Sequence, residues 1–227
     1  MIHLPSPNHG PRRAGAPVDI LLLHYTGMPS AEAAIERLRD PAAEVSAHYV
    51  VGEDGTVWAM VPEDRRAWHA GRGHWMGERD VNSRSVGIEI VNPGHEWGYR
   101  PFPDAQMEAV ADLARGVVGR HGIPPWRVLA HSDVAPARKE DPGELFDWRW
   151  LAARGVGLWP EPGPEDEGPA GAEEVHALLL GLGYDPDCPP DLLVAAFHRR
   201  FRPEALGAPA DAETVRLARA LARRAGP

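Results

Sequence analysis

The sequence predicts an α/β fold: a mixed central β-sheet flanked by helices, with a small three-helix domain at the C-terminal end. Three observations predict it. Apolar or β-branched runs and helix-period segments follow one another in the order β-α-β-β-β-α-β. A stretch dense in proline, glycine and acid, residues 155–172, then breaks the pattern. Beyond it only helical periodicity remains.

Each element has a local reason. Residues 18–23, VDILLL, are nearly continuously apolar, as in a strand buried on both faces. Ser30 is placed to cap a helix over 31–39, with Ala31, Ala34, Ile35 and Leu38 on one face. SAHYVV and TVWAMV flank Gly52-Glu53-Asp54-Gly55, two β-rich runs around an Asp-Gly turn, which reads as a hairpin. SVGIEIV, residues 85–91, is a further strand. Asp104 is placed to cap a helix over 105–120, where Met107, Val110, Leu113, Ala114 and Val117 recur, and His121-Gly122 ends it. Residues 126–130, WRVLA, form the last strand. In the tail, Val175, Leu178, Leu179 and Leu182 share a face, then Leu192, Leu193, Ala196, Phe197 and Phe201, then Thr214, Val215, Leu217, Ala218 and Leu221. The division expected is 1–154, a linker at 155–172, and 173–227, with few contacts crossing the linker.

Composition excludes several classes. With 43% hydrophobic and 25% charged residues, the chain is neither disordered nor fibrous. Its net charge of −9 argues against nucleic acid as a partner, because such affinity rests on neutralising phosphates. No apolar run approaches the roughly 18 residues of a membrane span. Cys188 is the single cysteine, so no intrachain disulfide forms. The first residues, MIHLPSPNHGPRRAGAPV, lack the apolar core of a secretion signal. A cytoplasmic location is therefore expected, with periplasm or cell envelope following if a leader is missing.

Four kinds of residue carry candidate chemistry. His24 directly follows the first strand and His131 directly follows the last, and loops at strand ends are where open α/β sheets place ligands. Asp141 follows ten residues after His131. Two imidazoles and a carboxylate suit catalytic zinc, although a histidine at a strand end also serves as a hydrogen-bonded structural residue. Glu89 sits inside an apolar strand, either on a solvated face or as a general base in a cleft. Lys139 is the one lysine among 24 basic residues; it is either a solvated loop residue or a cation for a developing oxyanion.

LLLHYTGM, SAHYVV, WHAG, SVGIEIVNPG and HSDVAPARKEDPG, in that order over residues 15–152, resemble the zinc-dependent N-acetylmuramoyl-L-alanine amidases of the type-2 class, relatives of the peptidoglycan-recognition proteins. The resemblance implies cleavage of the amide between the lactyl group of N-acetylmuramic acid and L-alanine of the stem peptide. It also implies Zn²⁺ on His24, His131 and Asp141, Glu89 as catalytic acid, and Lys139 at the tetrahedral intermediate. Recognition proteins that hydrolyse usually carry cysteine at the third ligand, and those that only bind usually lack it. By the same resemblance Trp68, His69, Trp75 and Asn82 line the substrate groove, and His48 matches a common family histidine that serves either substrate or core. The tail, with LLLGLGYD and VAAFHRRFRP, is similar to the three-helix peptidoglycan-binding domains fused to such enzymes.

Three rival readings stay open at this level: a non-catalytic muropeptide-binding module, a zinc peptidase acting within the stem peptide, and a structural zinc site. The substrate is equally open, between soluble anhydro-muropeptide and polymeric peptidoglycan. A wall-binding tail favours the polymer and a missing signal favours the soluble form.

Overall fold

The computed structural model describes residues 1–225. Positions 226 and 227 of the predicted tail lie outside the described residues. Two short strands, β1 (Ile2–His3) and β2 (His9–Pro11), open the chain. The segment β3 (Ile20–Tyr25), α1 (Ala31–Arg39), β4 (Tyr49–Val51) and β5 (Val57–Ala59) follows. Next come β6 (Arg65–Ala67), the one-turn helix α2 (Val81–Arg84) and β7 (Ser85–Ile90). Then α3 (Gly94–Trp97), α4 (Asp104–His121), β8 (Val128–Ala130), α5 (His131–Val134) and α6 (Trp148–Ala153) complete the larger part. The tail holds α7 (Ala172–Leu182), α8 (Pro190–Phe201) and α9 (Ala212–Arg224).

One six-stranded sheet runs β1-β5-β4-β7-β3-β8. The β4–β5 hairpin is antiparallel, and every other neighbouring pair is parallel. This is the mixed sheet the sequence predicts. Its hairpin turn is held by Asp54, which accepts the Thr56 backbone N–H at 2.8 Å, while Gly55 takes φ +83°. The Ser30 cap is also present, accepting the Ala33 N–H at 3.2 Å. At α4 the expectation shifts: Asp104 is the first helical residue, and Pro103 precedes it with no side-chain cap. The sequence reading missed β1 and the small antiparallel pair β2–β6, because two or three residues such as His9-Gly10-Pro11 carry no alternation to read.

Both faces of β3 are covered, as its apolar run predicts. Leu21 and Leu23 pack toward α4, in a cluster with Val110, Ala114 and Val117. On the opposite face Ile20 and Leu22 share one cluster with Val175, Leu179, Leu193 and Phe197 of the tail. Beside them α1 presents Leu38 to Val50 and Met60.

That shared cluster corrects the expectation that few contacts cross the linker. Trp75 packs edge-to-face on Tyr184 at 5.1 Å between ring centroids. The Met76 N–H donates to the Gly183 carbonyl at 2.8 Å, and Arg79 pairs with Asp185 and Asp187. The apolar faces of the three helices meet one another and the sheet in one core. Among the described residues, no helix is long and apolar enough to cross a membrane.

Candidate active site

Parallel pairing of β3 with β7 sets His24 opposite Glu89, on one face of the sheet. Because β3 runs on through Tyr25, His24 lies inside the strand rather than just after it. His131 is the first residue of α5, immediately after β8, and β8 pairs with β3 on its other side. The loop after α5 returns Asp141 to the same point. His24 Nδ1 lies 2.9 Å from His131 Nδ1 and 3.1 Å from Asp141 Oδ2, and His131 Nδ1 lies 2.9 Å from that same oxygen. All three side chains are buried.

The hydrogen-bond network decides which ring nitrogens carry protons. Val81 O accepts from Ser85 Oγ at 2.7 Å, and only the hydroxyl hydrogen can make that bond. Ser85 Oγ, 3.3 Å from His69 Nε2, therefore accepts an N–H from His69. His69 Nδ1 is then bare and accepts from His24 Nε2 at 3.0 Å. His24 Nδ1 is left as a lone pair. His131 Nε2 donates to the Ala70 carbonyl at 3.0 Å, which leaves its Nδ1 bare as well. Two lone-pair nitrogens and a carboxylate oxygen thus converge with no proton to share. That is a donor set for a cation, and the outer bonds are those that orient histidine ligands. Among the described residues, these are the three whose donor atoms group closely enough for a metal ion.

Charge states agree. Burial, helped by His131, lowers the His24 imidazole to about 4, so it is neutral at physiological pH. Burial alone would raise the Asp141 carboxyl, but the facing His131 and His24 outweigh it and hold it below its ordinary range. Burial and the Asp141 charge push Glu89 well above the usual carboxyl range, with Lys139 opposing. Glu89 keeps one side toward the cleft, yet its Oε2 is sealed from solvent with no hydrogen-bond partner. A carboxylate oxygen left in that state costs free energy unless something arrives to meet it.

The cleft above these residues has a volume of about 270 Å³, with Tyr25, Arg37, Trp68, His69, Glu89 and Lys139 among its walls. The structure therefore brings His24, His131, Asp141, Glu89 and Lys139 together, with Trp68 and His69 beside them. Three of the predicted groove residues sit elsewhere. Asn82 is buried, its Oδ1 accepting the His69 and Ala70 N–H groups at 3.1 and 2.8 Å, so it fixes the strap carrying His69 and the Ala70 carbonyl. Trp75 is buried against the tail and lines no part of this cleft. His48 is buried, its ring 5.5 Å from that of His69: its Nδ1 accepts the Gly87 N–H at 2.9 Å, which leaves Nε2–H for the Arg65 carbonyl at 3.1 Å.

Sequence reasoning missed Ser85 and Gly87. A Cβ on Gly87 would stand 2.5 Å from the His69 ring, so only glycine lets His69 reach His24. A glycine inside a strand was the available signal, since it marks a close approach.

A mixed α/β sheet with a buried His–His–carboxylate cluster, next to a partnerless glutamate in an open cleft, defines a hydrolase. The chain belongs to the family described as N-acetylmuramoyl-L-alanine amidase (Amidase_2), whose profile matches residues 14–144. The reaction is hydrolysis of the amide bond between N-acetylmuramic acid and L-alanine. N-acetylmuramoyl-L-alanine amidase AmiD of Escherichia coli (strain K12) is 36% identical, over 92% of this chain and 84% of that protein. The 1,6-anhydro-N-acetylmuramyl-L-alanine amidase AmpD of Enterobacter cloacae is 33% identical, over 64% of this chain and 85% of its own length. Among solved structures, AmiD from E. coli with anhydro-N-acetylmuramic acid-L-Ala-D-gamma-Glu-L-Lys superposes with a TM-score of 0.81 at 35% identity, covering 93% of this chain and 91% of that one. AmpDh3 from Pseudomonas aeruginosa with anhydromuramic pentapeptide gives 0.83 at 29% identity, covering 92% and 93%.

Proposed function

We propose that this chain is a zinc amidase acting on anhydro-muropeptides, with zinc held by His24 Nδ1, His131 Nδ1 and Asp141 Oδ2. The observation that carries the reading is the convergence of those atoms with their protons directed away, beside the partnerless Glu89 oxygen. Zinc bound there supplies a Lewis acid that acidifies water and polarises the scissile carbonyl.

The chain's own residues do the rest. Glu89 takes a proton from the attacking water as the C–O bond forms at the lactyl carbonyl. Its raised affinity for protons suits it to hold that proton and deliver it to the departing nitrogen of L-alanine as the C–N bond breaks. The Lys139 ammonium, on the cleft wall, stabilises the oxyanion between those steps. Trp68 offers an apolar face to the sugar or peptide. The products are a lactyl carboxylate and a free amine.

Soluble anhydro-muropeptide is favoured as substrate because relatives that share the tail region were solved with such molecules, and a relative that matches without it is named for the 1,6-anhydro sugar. A wall-binding role for residues 173–227 rests on the sequence resemblance, and sedimentation with sacculi tests it. The main experiment digests soluble anhydro-muropeptide beside purified sacculi and weighs the products. Release of the intact stem peptide, N-terminal L-alanine included, supports the amidase reading. Cuts within the stem support a peptidase, and binding without products supports a recognition module.

A further inference from the structure

The strand that delivers His131 is poorly supported by the sheet itself. β8 is three residues long and lies at the sheet edge, paired only with β3. The turn from β8 into α5 carries Asp133 two residues beyond His131, and Asp133 is wholly buried. Its Oδ2 accepts the Ala130 N–H at 2.8 Å, closing the turn. Among the described residues, every further partner of that carboxylate comes from the tail. Arg200 of α8 pairs with Oδ2, and the Tyr184 hydroxyl donates to Oδ1 at 2.8 Å. Arg200 also donates from Nη2 to the Val128 carbonyl at 2.9 Å, at the start of β8, and stacks 4.1 Å over the Trp148 ring of α6. One guanidinium thus ties both ends of β8, at the Val128 carbonyl and at the turn that presents His131.

We infer that the helical tail is a positioning device for the active site: Arg200 and Tyr184, acting through Asp133, hold the β8–α5 turn so that His131 meets His24 and Asp141. The inference rests on the zinc reading given above. It assigns the tail a role inside the catalytic unit, whatever the tail does toward the wall. Arg200 and Tyr184 are positioning residues; neither lines the cleft. The charges are matched for it. Both oxygens of the buried Asp133 carboxylate are met, Oδ2 by Arg200 and the Ala130 N–H and Oδ1 by the Tyr184 hydroxyl, while Arg200 Nε has no partner; buried polar contacts of this kind fix geometry more than they add stability.

The test uses the full-length protein. Zinc affinity of the metal-free chain is measured by chelator competition for wild type, Arg200→Met, Tyr184→Phe and Val215→Ala, with circular dichroism confirming the fold. Val215 lies in the tail core and makes none of these bonds, so its variant reports general loosening of the tail. Removing an outer support of a metal ligand typically weakens affinity about 10- to 100-fold. Arg200→Met is expected to fall in that range, Tyr184→Phe by a few-fold, and Val215→Ala to keep wild-type affinity even where its Tm drops as far. A folded Arg200→Met that binds zinc as the wild type does overturns the inference, as does an equal loss in Val215→Ala. If Arg200→Met does not fold, unchanged affinity in Tyr184→Phe overturns it. A wild type that takes no zinc at all removes the zinc reading itself, and the two failures are told apart by the wild-type measurement.

Discussion

Glu89 stands directly opposite His24 across the β3–β7 pair, so one register position sets a carboxyl beside a proposed zinc ligand. A slip of one residue in either strand would turn that strand's side chain to the α4 face and part the pair. Glu89→Gln keeps the shape and removes the proton carrier. Turnover is expected to fall about 10²- to 10⁴-fold with zinc content unchanged, measured by product mass and elemental analysis.

The same substitution has a stability signature in the metal-free protein. The folded Glu89 carboxyl titrates above its unfolded value, so its contribution is fully present below about pH 4.5 and is lost as pH rises through the folded value. Glutamine carries no such dependence. Glu89→Gln is therefore expected to match wild type near pH 4 and to exceed it at pH 7, by at most about 1.4 kcal/mol per pH unit between. Urea unfolding at both pH values reads this, and a constant difference would contradict it.

His48 works in the opposite direction. Burial and the nearby Arg12 lower it to about 3. Its contribution is present above the unfolded value near 6.5 and is lost as pH falls toward 3. The urea midpoint of the wild type is expected to drop between pH 6.5 and 4, and His48→Gln should flatten that slope.

Gly87→Ala drives a methyl into the His69 ring. Overpacking of this kind costs about 1–3 kcal/mol. Displacing His69 also releases the His24 Nε2–H, so zinc affinity is expected to fall about 10-fold or more. Chelator competition with a parallel melting curve separates the two effects.

Deleting residues 173–227 would expose Ile20, Leu22, Leu129 and Trp75, all now covered by the tail. The truncated chain is expected to melt lower and to aggregate, unlike a tethered module that could be removed cleanly. Light scattering and calorimetry check this. A truncated protein with the parent Tm would show that the seam contributes little.

The sequence by itself determined the sheet class and the identity of the residues that meet at the site. Val18–Leu23 read as a strand covered on both sides because every residue but Asp19 is apolar, and tertiary structure supplied α4 and the tail as the two covers. His24, His131 and Glu89 were legible because they carry unusual chemistry at strand ends or inside an apolar strand, and Asp141 and Lys139, in the loop after His131, because the family resemblance joins them to these. The groove residues were less so. Asn82 and Trp75 look like ligand contacts as residue types, and only packing shows that one braces a backbone strap and the other meets Tyr184. Tertiary structure alone decided three further things: the proton order along Val81, Ser85, His69 and His24, the need for glycine at 87, and the grip of Arg200 on Asp133. Periodicity and local propensity act between neighbours in the chain, whereas all of these contacts but the Ser85–Val81 bond join residues 16 to 67 positions apart and exist only once the sheet has assembled and, for Arg200, the tail has closed on it.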